Sequence, residues 1–220
     1  AGVCQNMDEV KAYVNKDGNM IMPDAQPGDV RFVDVNGDGK ISADDRTNIG
    51  NGTPKWTFGF NLGAEWKGFD FNLFLQGVTG NKVFDATYRT DVYSGNFPSW
   101  MLSRWTGEGT GNEIPRVTYG DVGNWLFSDL YLQDGDYIRL QNLTLGYDFK
   151  KLIAWKGLSK LRLYLQVQNL FTLTKYDGMD PEIGSYNGTD GNSSDSWVSG
   201  VDMGYYPHPR TFIVGLNLAF

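Results

Sequence analysis

The chain has 220 residues, 40% hydrophobic and 15% aromatic, with 28 glycines, one cysteine, one histidine and a formal net charge of −7. Nineteen basic residues against 26 acidic ones, with no basic cluster, exclude nucleic acid as a partner, Cys4 alone excludes a disulfide framework, and His208 alone argues against His-dependent triads and multi-His zinc sites. No run of about 18 apolar residues offers a transmembrane helix; many aromatics and glycines without such a run describe a β-rich chain with one oily face, a membrane β-barrel included.

The start, Ala1-Gly2-Val3-Cys4, faintly resembles a lipoprotein cleavage box but lacks the apolar stretch that precedes one. It reads more simply as a mature secreted chain or a piece of a longer one. Residues 1–55 are polar and turn-rich, through Asn15-Lys16-Asp17-Gly18-Asn19, Pro27-Gly28-Asp29 and Asn36-Gly37-Asp38-Gly39. They predict a loop region with a short helical turn near Met7–Val14.

Within that region, residues 34–45 fit a twelve-residue calcium loop. Asp34, Asn36 and Asp38 hold positions 1, 3 and 5, Gly39 the sharp turn, Lys40 a backbone carbonyl and Asp45 the closing carboxylate, with Ser42 in direct or water-mediated reach. A hard cation takes six to eight oxygens, and the odd spacing turns them inward. Asp45 stands where an EF-hand has a longer Glu, and no flanking helices are evident, so a signalling EF-hand is not expected. The other reading is an ordinary acidic, turn-rich loop.

The pattern then changes. Trp56, Phe58, Phe60, Leu62, Ala64 and Trp66 alternate strictly with polar or small residues, which predicts a strand over 56–66. Lys67-Gly68 is a hairpin turn. In the partner strand, 69–79, Phe69, Phe71, Leu73 and Leu75 share a face, and Phe74 breaks the alternation. Residues 80–136 form a long connection with a short helix near Pro98–Trp105. A strand follows over 137–149, in which the phase slips near Gln141 and predicts a bulge. Further strands are expected over 161–173 and 211–220, separated by a second long loop, 174–210.

Strands of about 10 to 13 residues exceed the usual soluble length and suit a tilted crossing of a bilayer. Short turns alternate with long loops, as in outer-membrane barrels. A soluble sandwich with one oily face is the rival, disfavoured by tryptophan at both ends of the 56–66 face. Phe58, Phe60, Leu62, Phe71, Leu73, Leu143, Leu145, Leu163, Leu165, Val214, Leu216 and Leu218 should then meet lipid, and Asn61, Asn72, Asn142, Gln166 and Asn217 the lumen. Five strands cannot close a barrel, and an open edge in hydrocarbon leaves backbone groups unpaired. The expected fold class is therefore all-β, a partial wall of a larger outer-membrane barrel.

Several spaced motifs resemble the SusC/RagA family of TonB-dependent outer-membrane transporters of Bacteroidetes. They are Ser128-Asp129 through Gly135-Asp136-Tyr137-Ile138-Arg139-Leu140-Gln141-Asn142-Leu143-Thr144-Leu145-Gly146-Tyr147, then Asn169-Leu170-Phe171-Thr172-Leu173-Thr174-Lys175-Tyr176-Asp177-Gly178 and Asp180-Pro181-Glu182. Arg104-Trp105-Thr106 with Pro115-Arg116, and Tyr206-Pro207-His208-Pro209-Arg210-Thr211 leading to Phe220, complete the resemblance. It implies the C-terminal portion of a 22-stranded barrel with an N-terminal plug. The implied partners are the rest of the barrel and its plug, a SusD-like surface lipoprotein, outer-membrane lipid, and the TonB system through regions outside this chain. The implied activity is uptake of oligosaccharides or peptides without covalent chemistry, and the resemblance implies a structural role for Ca²⁺ in the 34–45 loop.

A secreted, calcium-stabilised β-rich module that binds glycans is the alternative function. No carboxylate spacing marks an acid/base couple, so catalysis is not expected. Trp100, Trp105, Trp125 and Trp197 can stack on sugars, pack the loops or face a partner protein; the Asn187-Gly188-Thr189 sequon carries little meaning in a bacterium. If Phe220 lies on the periplasmic side, counting strands back places 174–210, 80–136 and 1–55 outside the cell, the calcium loop with them.

Overall fold

Eleven residues that alternate without a break can satisfy one apolar and one polar face only as an extended strand, and β1 runs over Trp56–Trp66. The computed structural model describes residues 2–87, 97, 99–117, 123–153, 155–184 and 199–220. They fall into two compact units, one of Ala1–Ile49 with Thr87–Leu132 and one of Gly50–Ala86 with Gln133–Phe220.

The second unit carries β1, β2 (Phe69–Thr79), β3 (Lys82–Asp85), β4 (Leu132–Asp134), β5 (Tyr137–Asp148), β6 (Lys160–Thr174), β7 (Val201–Asp202) and β8 (Thr211–Ala219). Between β1 and β2, Lys67 at φ 49° and Gly68 at φ 98° supply the two positive values that a two-residue hairpin turn matched to strand twist requires. β1-β2-β5-β6-β8 then form one sheet in which every neighbour is antiparallel.

Register aligns the apolar positions across all five strands. Leu62, Leu73, Leu143, Val167 and Phe212 form one row of direct partners, and Ala64, Phe71, Leu145, Leu165 and Val214 the next. A third row joins Trp66, Phe69, Tyr147, Leu163 and Leu216. The opposite face is mainly polar: Gly63, Asn72, Thr144 and Gln166 make one of its rows, and Asp70 pairs bidentately with Arg162 across Gly146. The apolar face is not covered; Phe60, Leu145 and Val214 are 53%, 52% and 73% exposed.

The phase slip has a backbone cause. Pairing of β5 shifts between Leu140 and Asn142 against β6, and the β2 partner shifts between Phe74 and Leu75. Gln141 is the extra residue, so Ile138 and Leu140 join Leu143 and Leu145 on the apolar face. Phe74, paired with Asn142, turns to the polar face, where its ring lies over Gly59; a Cβ there would stand 3.3 Å from it.

The expectation that 80–136 and 174–210 are loops needs correction. They contain β3, β4 and β7, a small sheet of order β4-β3-β7 in which β3 and β7 run parallel. Such strands, two to four residues long, are too short to print a period in the sequence. The expected helix near Pro98–Trp105 is a 3₁₀ turn over Ser99–Ser103, with Pro98 itself outside the described residues.

The first unit packs Val3, Cys4, Val10, Ile21, Val30, Met101 and Tyr131 into its core. Its helix α1, Met7–Ala12, is capped by the Asn6 side chain accepting the Glu9 N–H. Asp29 is the polar hub: Arg116 Nε donates to it at 2.6 Å, Asn124 Nδ2 at 3.0 Å and the Gln26 N–H at 2.8 Å. Burial opposes its charge, but these three donors outweigh it and hold the carboxyl below its ordinary pKa. The sequence division at 55/56 assigns 87–132 to the strands; these contacts instead bind that segment to 1–49.

Candidate functional site

Residues 34–45 belong to the first unit and close on themselves. The Asp34 carboxylate accepts the Gly37 and Gly39 N–H groups at 2.7 and 2.8 Å, Asn36 Oδ1 accepts Asp38 N–H at 2.9 Å, and Asp38 Oδ1 accepts Lys40 N–H at 3.1 Å. Gly37 and Gly39 take φ of 76° and 88°, which lets the chain wind inside its own side chains. At the far end Ser42 and Asp45 form a reciprocal cap of a 3₁₀ turn, Ala43–Asp45. Asp45 reaches back to the Val35 N–H at 2.9 Å and its side chain meets that of Asp34, so the first and last predicted ligands come together.

The Asp45 carboxyl is held below its ordinary pKa, first by the Ser42 N–H and then by those of Val35 and Asn36, and stays ionised at neutral pH. Tyr13 anchors the loop entrance: its hydroxyl donates to the Phe32 carbonyl at 3.0 Å and accepts the Asp34 N–H at 3.2 Å. Asp34 and Asp45 are half-buried, whereas Asn36, Asp38 and Lys40 are exposed. Each carboxylate oxygen that accepts one N–H keeps a second lone pair, so the donor set remains chemically suited to a hard cation.

Sequence reasoning missed a second cluster, in the second unit. Arg139 on β5 is 2% exposed and projects among Thr172 Oγ1 at 2.9 Å, Glu182 at 2.6 Å and Asp180. Asp180 also accepts the His208 N–H at 3.0 Å, lies 3.0 Å from the His208 ring Nδ1, and takes the Glu182 N–H at 2.9 Å. Burial pushes this carboxyl up, but those donors and Arg139 together bring it down to about 2. Potential ligand atoms of Asp180, Glu182 and His208 lie within 4.8 Å of one another, yet the Arg139 guanidinium already pairs with both carboxylates and fills the place of a cation. The cluster is a clasp that ties two loops to one strand. Its parts stand in four of the motifs that carry the family resemblance, and that coincidence is the signal available in the sequence.

The tryptophans divide. Trp105 is half-buried, with its ring close over Gly28, rather than standing free as a stacking platform. Trp197 and the 187–189 sequon lie outside the described residues.

No protein-family model matches the chain. Among curated proteins it is 39% identical over 200 residues to TonB-dependent receptor P3 of Formosa agariphila, covering 90% of this chain and 19% of that protein. It is 31% identical over 223 residues to TonB-dependent receptor P26 of the same organism, and 29% identical over 200 residues to the TonB-dependent receptor SusC of Bacteroides thetaiotaomicron. Among solved structures it resembles a chain of the RagAB peptide importer in its open-open state, with a TM-score of 0.62 and 25% identity over 86% of this chain and 20% of that one. The closed-closed state matches with the same TM-score and 27% identity. The chain thus spans about a fifth of the length of the relatives it matches.

Proposed function

Because this chain is a SusC/RagA-type TonB-dependent transporter sequence over about a fifth of such a protein's length, we propose that it builds part of the wall and outer loops of an outer-membrane importer. The observation that carries this reading is the uncovered apolar face of five long antiparallel strands, aligned row by row in a chain of net charge −7. A soluble protein does not leave a contiguous apolar patch of that extent to water. Lipid meets that face, the polar face lines the lumen, and the rest of the barrel pairs with the outer edges of β1 and β8. The cargo is oligosaccharide or peptide, captured with a SusD-like lipoprotein over the extracellular mouth and released inward through TonB-driven plug movement. No bond in the cargo is made or broken.

The test is uptake. Deleting the gene for the full-length protein should abolish growth on one oligosaccharide or peptide mixture as sole source, and removing TonB should reproduce the defect. Full-length protein that stays monodisperse without detergent, or cells whose growth never depends on it, would refute the importer.

The loop 34–45 is part of this proposal as a structural calcium site, with oxygens from Asp34, Asn36, Asp38, Lys40 and Asp45 about 2.3–2.6 Å from the ion. The convergence of Asp34 and Asp45 supports it. At a hundred times its dissociation constant, calcium should add about 2.7 kcal/mol to the unit that contains the loop. Chelation should therefore speed proteolysis between residues 34 and 45, and Asp34→Asn with Asp38→Asn should make the protein indifferent to calcium. Cleavage at equal rates with and without calcium counts against the site.

A further inference from the structure

The two ends of the strand sheet differ in charge, and on the reading of that sheet as a barrel wall we infer that its short-turn end docks on the phosphate groups of anionic glycerophospholipids. Two backbone bonds, Asp148 N–H to the Gly68 carbonyl at 2.8 Å and Ser159 N–H to the Ala219 carbonyl at 2.7 Å, gather the 67–68 turn, the 149–159 connection and the end of β8. Lys67, Lys150 and Lys156 fall there on the connections, whereas Lys160, at the start of β6, takes the polar face with Arg162. Lys67 Nζ sits 4.8 Å from the centre of the Trp66 ring, and Lys150 Nζ donates to the Trp155 carbonyl at 2.7 Å. None of the three turn lysines makes a salt bridge among the described residues.

The carboxylates nearby are turned away or occupied. Glu65 and Asp70 lie on the polar face, Asp70 is paired bidentately with Arg162, and Asp148 accepts the Lys150 and Leu161 N–H groups. On the apolar side of the same end, Trp66, Trp155 and Phe220 are exposed, the last two in an edge-to-face contact at 6.2 Å. Amphipathic rings at the end of an apolar face, with lysines just beyond them, make a headgroup-level anchor. The opposite end carries four carboxylates, Asp134, Asp136, Asp180 and Glu182, and its Lys82 and Arg139 are already paired with three of them, so it offers less to anionic headgroups. Short turns of such barrels face the periplasm, where the leaflet is glycerophospholipid.

The experiment reconstitutes the full-length protein in phosphatidylcholine vesicles and measures the relative binding of brominated phosphatidylglycerol by tryptophan quenching. Each lysine near an anionic surface contributes roughly fivefold. The unaltered protein should therefore prefer phosphatidylglycerol, and the double variant Lys67→Gln, Lys156→Gln should lose about 25-fold of that preference. Lys55→Gln with Lys82→Gln, at the opposite end, should leave it unchanged. An undiminished preference in the double variant, or a stronger preference for lipid A, overturns the inference. Protein that inserts into vesicles of no composition overturns the barrel-wall reading itself, which keeps the two failures apart.

Discussion

Arginine in place of Leu143 is expected to cost the full-length barrel about 2–4 kcal/mol, whereas arginine in place of the adjacent Thr144 should cost much less. Leu143 lies in the middle strand, in the row with Leu62, Leu73, Val167 and Phe212, midway between the aromatic ends of β5. A guanidinium there must either sit in hydrocarbon or drag water and headgroups toward it. Thr144 lies one residue on, in the polar row with Asn72 and Gln166, where a charge meets the lumen. Urea unfolding in lipid vesicles, with barrel closure read by heat-dependent gel mobility, checks the difference. Equal losses at the two positions would show that the faces have been assigned wrongly.

Asp180→Ala should be the most damaging change among the loops, at about 3–5 kcal/mol, because it leaves the buried Arg139 charge with Glu182 as its one carboxylate. Replacing both partners, Arg139→Met with Asp180→Asn, should cost less than Asp180→Ala, since no buried cation is then stranded. Acid should weaken the same clasp. The Asp180 carboxyl sits at about 2 in the folded protein against an ordinary 3.8. Its contribution, about 2 kcal/mol, is therefore present above pH 4 and is lost as pH falls from about 4 toward 2. Limited proteolysis of the 175–184 and 203–210 loops across that range measures both effects; loops as resistant in Asp180→Ala as in the unaltered protein would contradict them.

What the sequence makes legible follows from the range of each interaction. A strand such as Trp56–Trp66 writes its two faces into consecutive residues, and the bulge at Gln141 shows as one missed beat in that alternation. The odd-spaced oxygens of 34–45 are legible for the same reason, since the loop closes locally through Asp34 and Asp45. The parallel pairing of Phe84 with Val201 leaves no such trace, because neither strand is long enough to have a period. The clasp joins Arg139 to residues 41 and 43 positions away, and its convergence depends on the loops being folded. The grouping of 87–132 with 1–49 likewise rests on contacts such as Arg116 with Asp29, between segments that composition alone does not relate.

The contrast between turn and loop connections sets an order of assembly. β1 and β2 are joined by two residues, and β5 and β6 by 149–159, whereas β2 and β5 are separated by 80–136, a segment about five times longer than the second of these links. Closing the longer segment costs about 1.5 kcal/mol more chain entropy than closing 149–159. The wall should therefore arise as two preformed hairpins that meet later at the β2–β5 seam, with the small sheet drawing their loops together. Changes at the Lys67-Gly68 turn would then slow the earliest event, and changes along Phe71–Leu145 pairing would slow the joining of the halves.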